Sequence, residues 1–270
     1  MSPPNAVGEG NLRWGKGGGG VSGHSKWASI KHKKGAADAK RGQIFTKLIK
    51  ELTAAAKSGG GNVEGNPRLR MAIAKAKEAN MPKENIEKAI KRGTGELPGV
   101  IYEEVLYEGY GPGGVAVLVE ALTDNKNRTT AEIRNIFSKN GGNMAGAGST
   151  AWIFQKRGYI LVDKARISEE KLMEIVLGAG GEDLKTEGES YEIIIDPKNF
   201  EAVKHTLTQA GIEWQSAELT QLPTSTIPVG DEGAAKKILA FMEALEEHDD
   251  VNHAYANFDI PEAILAAAAK

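Results

Sequence analysis

No cysteine occurs in the 270 residues, so disulfides, thiolate metal sites and thiol nucleophiles are excluded at once. A reducing cytoplasm is permitted by that absence. Long apolar runs are missing too, since nothing approaches the roughly 18 consecutive apolar residues that a membrane span requires. Only 5 histidines are present, scattered along the chain, and no Ser/His/Asp constellation can be assembled from them. Residues 1–20 lack the apolar core of a secretory signal and the arginine and serine content of a transit peptide.

What is present is charge, unevenly placed. The formal net charge is only −2. Val21 to Arg92 nevertheless carries 17 Lys+Arg against 6 Asp+Glu, whereas Gly93 to Lys270 carries 15 against 29. A basic head on an acidic body is an electrostatic footprint for a polyanion. The densest stretch is Gly23 to Lys57, with Lys26, Lys31, Lys33, Lys34, Lys40, Arg41, Lys47, Lys50 and Lys57.

Length points to two or three domains. Residues 1–20 read as disordered leader, with Val21 a candidate start of the native chain. From Ala36 the spacing of Ile44, Leu48, Leu52, Ala55 and Ala56 predicts a helix, stopped by Ser58-Gly59-Gly60-Gly61. Its apolar residues gather on one side. Lys40, Lys47, Lys50 and Lys57 share a separate arc expected to meet phosphates. Asn66-Pro67 reads as the cap and first residue of a second helix. Met81-Pro82 opens a third, with Gly93 expected to end it. The loop from Ser58 to Asn66 is long and glycine-rich, so no helix-turn-helix is read there.

Beyond a GTGELPG linker, strands Glu103 to Tyr110 and Val115 to Ala121, a helix from about Arg128 to Lys139 capped by Asn127, and a strand Ala151 to Gln155 form a ββαβ unit. A βαββαβ run from Tyr159 to Leu222 has the ferredoxin-like split pattern. The remaining helix, Glu232 to Glu247, and strand, Val251 to Asn257, are too small to fold alone and are expected to complete the ββαβ unit. The expectation is an α+β fold of three domains: a basic three-helix domain at 21–95, a discontinuous α+β domain at 100–157 plus 228–262, and an inserted ferredoxin-like domain at 158–227. A tail occupies 263–270.

Several motifs invite functional readings. Gly109-Tyr110-Gly111-Pro112-Gly113-Gly114 satisfies a dinucleotide-binding spacing, yet a strand and not a helix follows it, so it reads as a hairpin turn. Asn127 and Arg128 sit at a helix N-terminus, where capping is the simpler role and an auxiliary anion contact the alternative. His248, Asp249, Asp250 and His253 have metal-ligand chemistry without ligand spacing, and read as a surface turn. The basic head differs from an ordinary solvated helix because its surplus spans three helices and an arm in which Trp27 and His32 can stack on bases.

The motifs GHSKW and KHKK (Gly23 to Trp27, Lys31 to Lys34), NPRLR (Asn66 to Arg70), YEGYGPGG (Tyr107 to Gly114), DNKNRT (Asp124 to Thr129), GGN (Gly141 to Asn143) and YANFDIP (Tyr255 to Pro261) resemble the YebC family. Its relatives include a mitochondrial translational activator of cytochrome oxidase. The likeness runs from Val21 to Pro261. It implies three α+β domains and a cytosolic, non-enzymatic role in gene expression, either as a DNA-binding transcriptional regulator or as a translation factor that acts on ribosomal RNA and relieves stalling at proline runs. The expected nucleic-acid contacts are Lys26, Trp27, Lys31, His32, Lys33, Lys34, Lys40, Arg41, Lys47, Lys50, Lys57, Arg68 and Arg70. No catalytic residue, metal, cofactor, membrane contact or small-molecule substrate is inferred, and the expected partners are DNA or ribosomal RNA and the ribosome.

Overall fold

The computed structural model of the chain describes residues 38–268. Three helices form the head: α1 (Asp38–Gly59), α2 (Pro67–Glu78) and α3 (Lys83–Thr94). Leu52, Ala55, Leu69, Ala72, Ala76, Met81, Ile86 and Ala89 make its core. The buried Asn66 joins two helices. Its Oδ1 accepts from Leu69 N at 3.0 Å to cap α2, while its Nδ2 donates to Ala55 O and Gly60 O, both at 2.8 Å, satisfying carbonyls at the end of α1.

Gly93 does not end the third helix. It lies within α3, and the left-handed residue that closes the helix is Gly95, with φ 83°. A Cβ on Gly93 would stand 2.4 Å from Thr53 O, so this glycine lets α3 press onto the alanine-lined flank of α1.

The body begins with β1 (Glu103–Tyr110) and β2 (Ala116–Thr123), an antiparallel hairpin paired from Glu103–Thr123 to Tyr110–Ala116. The glycine run supplies its turn, with Gly113 and Gly114 at positive φ. Helix α4 (Lys126–Lys139) follows, then the short β3 (Asn143–Ala145). The cap of α4 is Asn125, whose Oδ1 accepts from Arg128 N at 3.1 Å, so the helix starts before Asn127. The third strand of this sheet is β3, because Ala151–Ile153 forms a 3-10 turn instead.

The next strand, β4 (Phe154–Asp163), runs unbroken through Lys156-Arg157-Gly158, joining what was expected to be one strand ending at Gln155 and another starting at Tyr159. Gly158 stays in the sheet, paired with Ile195 and Leu219, and its missing Cβ makes room for Phe200. After it come α5 (Glu169–Gly178), β5 (Gly181–Glu187), β6 (Ser190–Ile195), α6 (Phe200–Gln209) and β7 (Ser216–Pro223). The sheet order β5-β6-β4-β7, antiparallel throughout, is the ferredoxin-like arrangement.

The chain then returns through β8 (Ile227–Pro228), α7 (Glu232–Glu246), β9 (Val251–Ala256), β10 (Phe258–Asp259) and α8 (Glu262–Ala268). Strand β9 pairs with β2 and completes the order β3-β1-β2-β9. Helices α4 and α7 cover one face of that sheet, with Phe137 and Phe241 edge to face at 5.0 Å. The fold is therefore α+β in three domains, the middle one discontinuous. The inserted domain leaves and re-enters on neighbouring strands, Phe154 opposite Pro223.

Candidate nucleic-acid interface

Six of the expected contacts, Lys26, Trp27, Lys31, His32, Lys33 and Lys34, lie outside the described residues, as does the side chain of Lys40. The rest divide sharply between engaged and exposed groups.

Two of the four lysines on the polar arc of α1, and Gln43 beside them, are engaged within the molecule. Gln43 Nε2 donates to Glu247 O, Lys47 Nζ to Glu246 O, and Lys50 Nζ to Asp249 O at 3.0 Å. These acceptors are carbonyls at and just beyond the C-terminal end of α7, where the helix dipole favours cations. Lys50 also pairs with Asp250 and is only 7% exposed. Burial and this pairing hold Lys50 inside the junction between head and body.

Asp250 is the centre of the junction. Oδ1 accepts from Lys50, while Oδ2 accepts from Arg128 Nη2 at 2.7 Å and Thr129 Oγ1 at 2.6 Å. Burial pushes this carboxyl up, but hydrogen bonds from Lys50, Thr129 and Arg128 win and hold it well below the usual carboxylate range. Arg128 also pairs with Asp124 at 2.9 Å, and its guanidinium is raised chiefly by Asp250. It braces the junction through Nη2 while its side chain stays exposed; Asn127 is exposed and makes no cap.

Glu132, His248 and Asp250 bring three ligand-type atoms within 4.8 Å of one another. His248 Nδ1 accepts from Asp250 N at 3.1 Å, which leaves Nε2 to donate to Glu132 Oε2 at 2.9 Å. With Lys50 and Arg128 already on Asp250, an incoming cation would meet two positive charges.

Arg68 is a brace as well. Its Nε and Nη2 meet Glu51 Oε1 and Oε2 at 2.8 and 3.1 Å, and Nη1 pairs with Glu104 on β1. The Glu51 hydrogen bonds are the main reason its guanidinium is raised. Glu51 also accepts from Asn252 Nδ2 on β9 at 3.0 Å. Arg68 is thus held by two partners, Glu51 within the head and Glu104 on the body.

Arg41, Lys57 and Arg70 remain on the outside. Arg41 lies over the Phe45 ring at 5.7 Å, and Arg70 reaches Val63 O and Glu64 O at 3.1 and 3.2 Å. Lys77, Lys91 and Arg92 are further exposed cations that the sequence reading did not single out. Their helical spacing away from Ile73, Ala76 and Ile86 was the signal that pointed to them. Helices α2 and α3 are joined by only four residues, with Asn80 at φ 58°. That is the length of a helix-turn-helix connection, and it lies after α2, not in the glycine-rich loop from Ser58 to Asn66. Outward residues of α3 include the pairs Lys83–Glu87 and Lys88–Glu84.

Between the domains lies an open cleft of about 500 Å³, walled by α1, α2, β1, β2, β4, β7 and β9. Among the described residues, no helix is long and apolar enough to cross a membrane.

These features define a class: a three-domain α+β protein whose exposed cations concentrate on a helical head. Residues 25–96 match the family model for the TACO1/YebC protein N-terminal domain, and residues 102–258 match that for the TACO1/YebC second and third domain. The chain belongs to the TACO1/YebC family. It is 56% identical over 245 residues to a protein of Syntrophobacter fumaroxidans, covering 91% of this chain and 98% of that one. It is 58% identical over 246 residues to a protein of Dictyoglomus thermophilum, with the same coverage. Both relatives bear the name "Probable transcriptional regulatory protein". A crystal structure of a conserved hypothetical protein from Aquifex aeolicus is similar, with a TM-score of 0.77 and 50% identity over 88% of this chain and 98% of that one.

Proposed function

We propose that this chain is a non-enzymatic, nucleic-acid-binding regulator of gene expression, gripping its target through the basic arm and the outer face of the head. The observation that carries the reading is the charge surplus of Val21 to Arg92 set against an acidic body. Lys57, Lys77, Lys91 and Arg92 supply exposed cations without ion-pair partners among the described residues. The names borne by the relatives agree with a regulatory role.

Two targets fit that footprint. RNA, including ribosomal RNA, is favoured by the aromatic and histidine content of the basic arm, Trp27 and His32, and by an acidic body suited to orienting the protein on a charged assembly. Duplex DNA is favoured by the short turn between α2 and α3, which has the connection length of a groove-binding unit. The acidic partners on the outer side of α3 weigh against groove insertion, so RNA is the better fit.

Fluorescence anisotropy at matched salt on duplex DNA, single-stranded RNA and a structured RNA tests the reading. Neutralising about six phosphates gives a log-log salt slope near −5 on duplex DNA and about −4 on a single strand. Charge reversal of Lys31, Lys33, Lys34 and Lys57 to Glu is expected to abolish most of that slope. Undiminished binding to every target by this variant would overturn the proposal.

A further inference from the structure

The cleft between the three domains has a chemistry that the basic head does not explain. Its lining carboxylates are engaged from within: Glu51 and Glu104 hold Arg68, while Glu120 accepts from Gln221 Nε2 and Tyr255 Oη, both at 3.3 Å. Two lining cations are different. Lys75, on α2 of the head, and Lys156, on β4 of the inserted domain, are exposed and have no partner among the described residues. The three carboxylates are balanced by Arg68, Lys75 and Lys156, and the two lysines are the lining cations not already paired.

The remaining lining is planar, apolar or amide. His253 is exposed, and its ring stacks on that of Tyr255 with centroids 5.9 Å apart and planes 25° from parallel. Leu106 is an exposed apolar side chain on the same wall. Gln221 keeps its amide oxygen for a donor, since only its nitrogen is used. An aromatic face, an amide that reads hydrogen bonds and two lysines together match one phosphorylated nucleoside, by the stacking and charge used for unpaired nucleotides. The volume suits such a ligand, falling in the ordinary range for small-ligand clefts at domain junctions, and is too small for a duplex.

We propose that the cleft takes one nucleotide unit, its base against His253 and Leu106 and its phosphate between Lys75 and Lys156. A bound nucleotide would touch all three domains at once and so tie their arrangement to occupancy. The inference rests on the nucleic-acid reading above and deepens it, because it assigns a single unpaired residue to a position away from the outer face of the head. The nucleotide can come from a strand or from the free pool, and the two are separable by experiment.

The test uses the full chain and an octauridylate carrying one 4-thiouridine, with binding measured by anisotropy and contact by photocross-linking and peptide mapping. Cross-links are expected on the β9 peptide containing His253. Lys75→Glu with Lys156→Glu is expected to lower affinity about tenfold and the salt slope by about 1.4, two phosphate contacts at roughly 0.7 each on a single strand. His253→Ala is expected to cost about tenfold through lost stacking. Thermal melting checks that these surface variants fold, and Lys156→Gln gives a milder second version. If UMP displaces the cross-link, the cleft accepts free nucleotides; if only oligomers compete, it takes a nucleotide within a strand. Wild-type binding that is unchanged in the double variant, with no cross-link in the cleft, overturns the cleft proposal while leaving nucleic-acid binding intact. Failure of the wild type to bind any RNA or DNA overturns both.

Discussion

Lys50 Nζ lies 2.5 Å from Asp250 Oδ1 across the boundary between head and body, and both residues are almost wholly buried. The pair fixes α1 against the start of β9, residues 200 positions apart. Removing one partner would leave the other charged and enclosed. Lys50→Met is therefore expected to destabilise the protein by about 3–5 kcal/mol, the usual scale for breaking a buried pair. Asp250→Asn is expected to cost a similar amount, because Arg128 and Thr129 lose their acceptor too. Urea unfolding of both singles and the double should give a double variant markedly better than additive. Simple additivity would show that the two residues do not act on each other.

Acid should loosen the same junction. Asp250 is held well below its ordinary 3.8, with burial opposing and Lys50, Thr129 and Arg128 prevailing. Glu108 is held below its ordinary 4.5, where burial is outweighed by backbone N–H groups of Thr150, Gly148 and Ala151. In the unfolded chain both groups take up protons at higher pH than in the folded one. Their stabilisation is thus full above about pH 5 and declines as pH falls through the ordinary values toward the depressed ones. Urea midpoints between pH 7 and pH 3 should drop below pH 5, and more gently in Asp250→Asn. An equal decline in that variant would mean that other carboxylates dominate.

Lys47 and Lys57 share one helix and were expected to share one task, but the structure separates them. Lys47 donates to Glu246 O at the end of α7, whereas Lys57 is exposed at the end of α1. Lys47→Glu should cost about 1 kcal/mol of stability through an unfavourable charge at a helix C-terminus. It should also raise hydrogen exchange along α1. Lys57→Glu should leave stability within about 0.5 kcal/mol while reducing the salt slope of nucleic-acid binding by about 0.7 to 0.9. Swapped outcomes would place the nucleic acid on the docked arc.

Much of the fold could be read from the chain because its signals are local. Asn66-Pro67 marks a helix start by capping chemistry, and the βαββαβ order determines a sheet order once strands are recognised. The role of each lysine could not be read, since a lysine on a polar arc has the same spacing whether it meets a phosphate or a carbonyl 199 residues away, as Lys47 does. Glycines misled for a related reason. Gly93 resembles a helix stop until α1 is placed against it, and Gly158 resembles a break until Phe200 fills the space beside it. The cleft was invisible in sequence because Lys75, Lys156 and His253 come from three separate parts of the chain.

The loop before β4 offers the sharpest local test. Glu108 is buried on β1, and its carboxylate accepts from Gly148 N at 2.7 Å, Thr150 N at 2.6 Å and Ala151 N at 2.7 Å. These three amides shape the segment that presents Trp152, which is 70% exposed and donates through Nε1 to Ser149 O at 3.1 Å. Tyr110 Oη donates to the same carbonyl at 3.2 Å. Glu108→Gln keeps the size of the side chain but replaces one acceptor oxygen with a donor that faces amide N–H groups. At roughly 1.5–3 kcal/mol for hydrogen bonds to a charged group, the loss should fall by about 2 kcal/mol on this loop. Hydrogen exchange at Gly148, Thr150 and Ala151 should rise, and acrylamide quenching of Trp152 should change in a variant with the other tryptophans replaced by Phe. Unchanged exchange at all three amides would show that the loop holds its shape without the carboxylate.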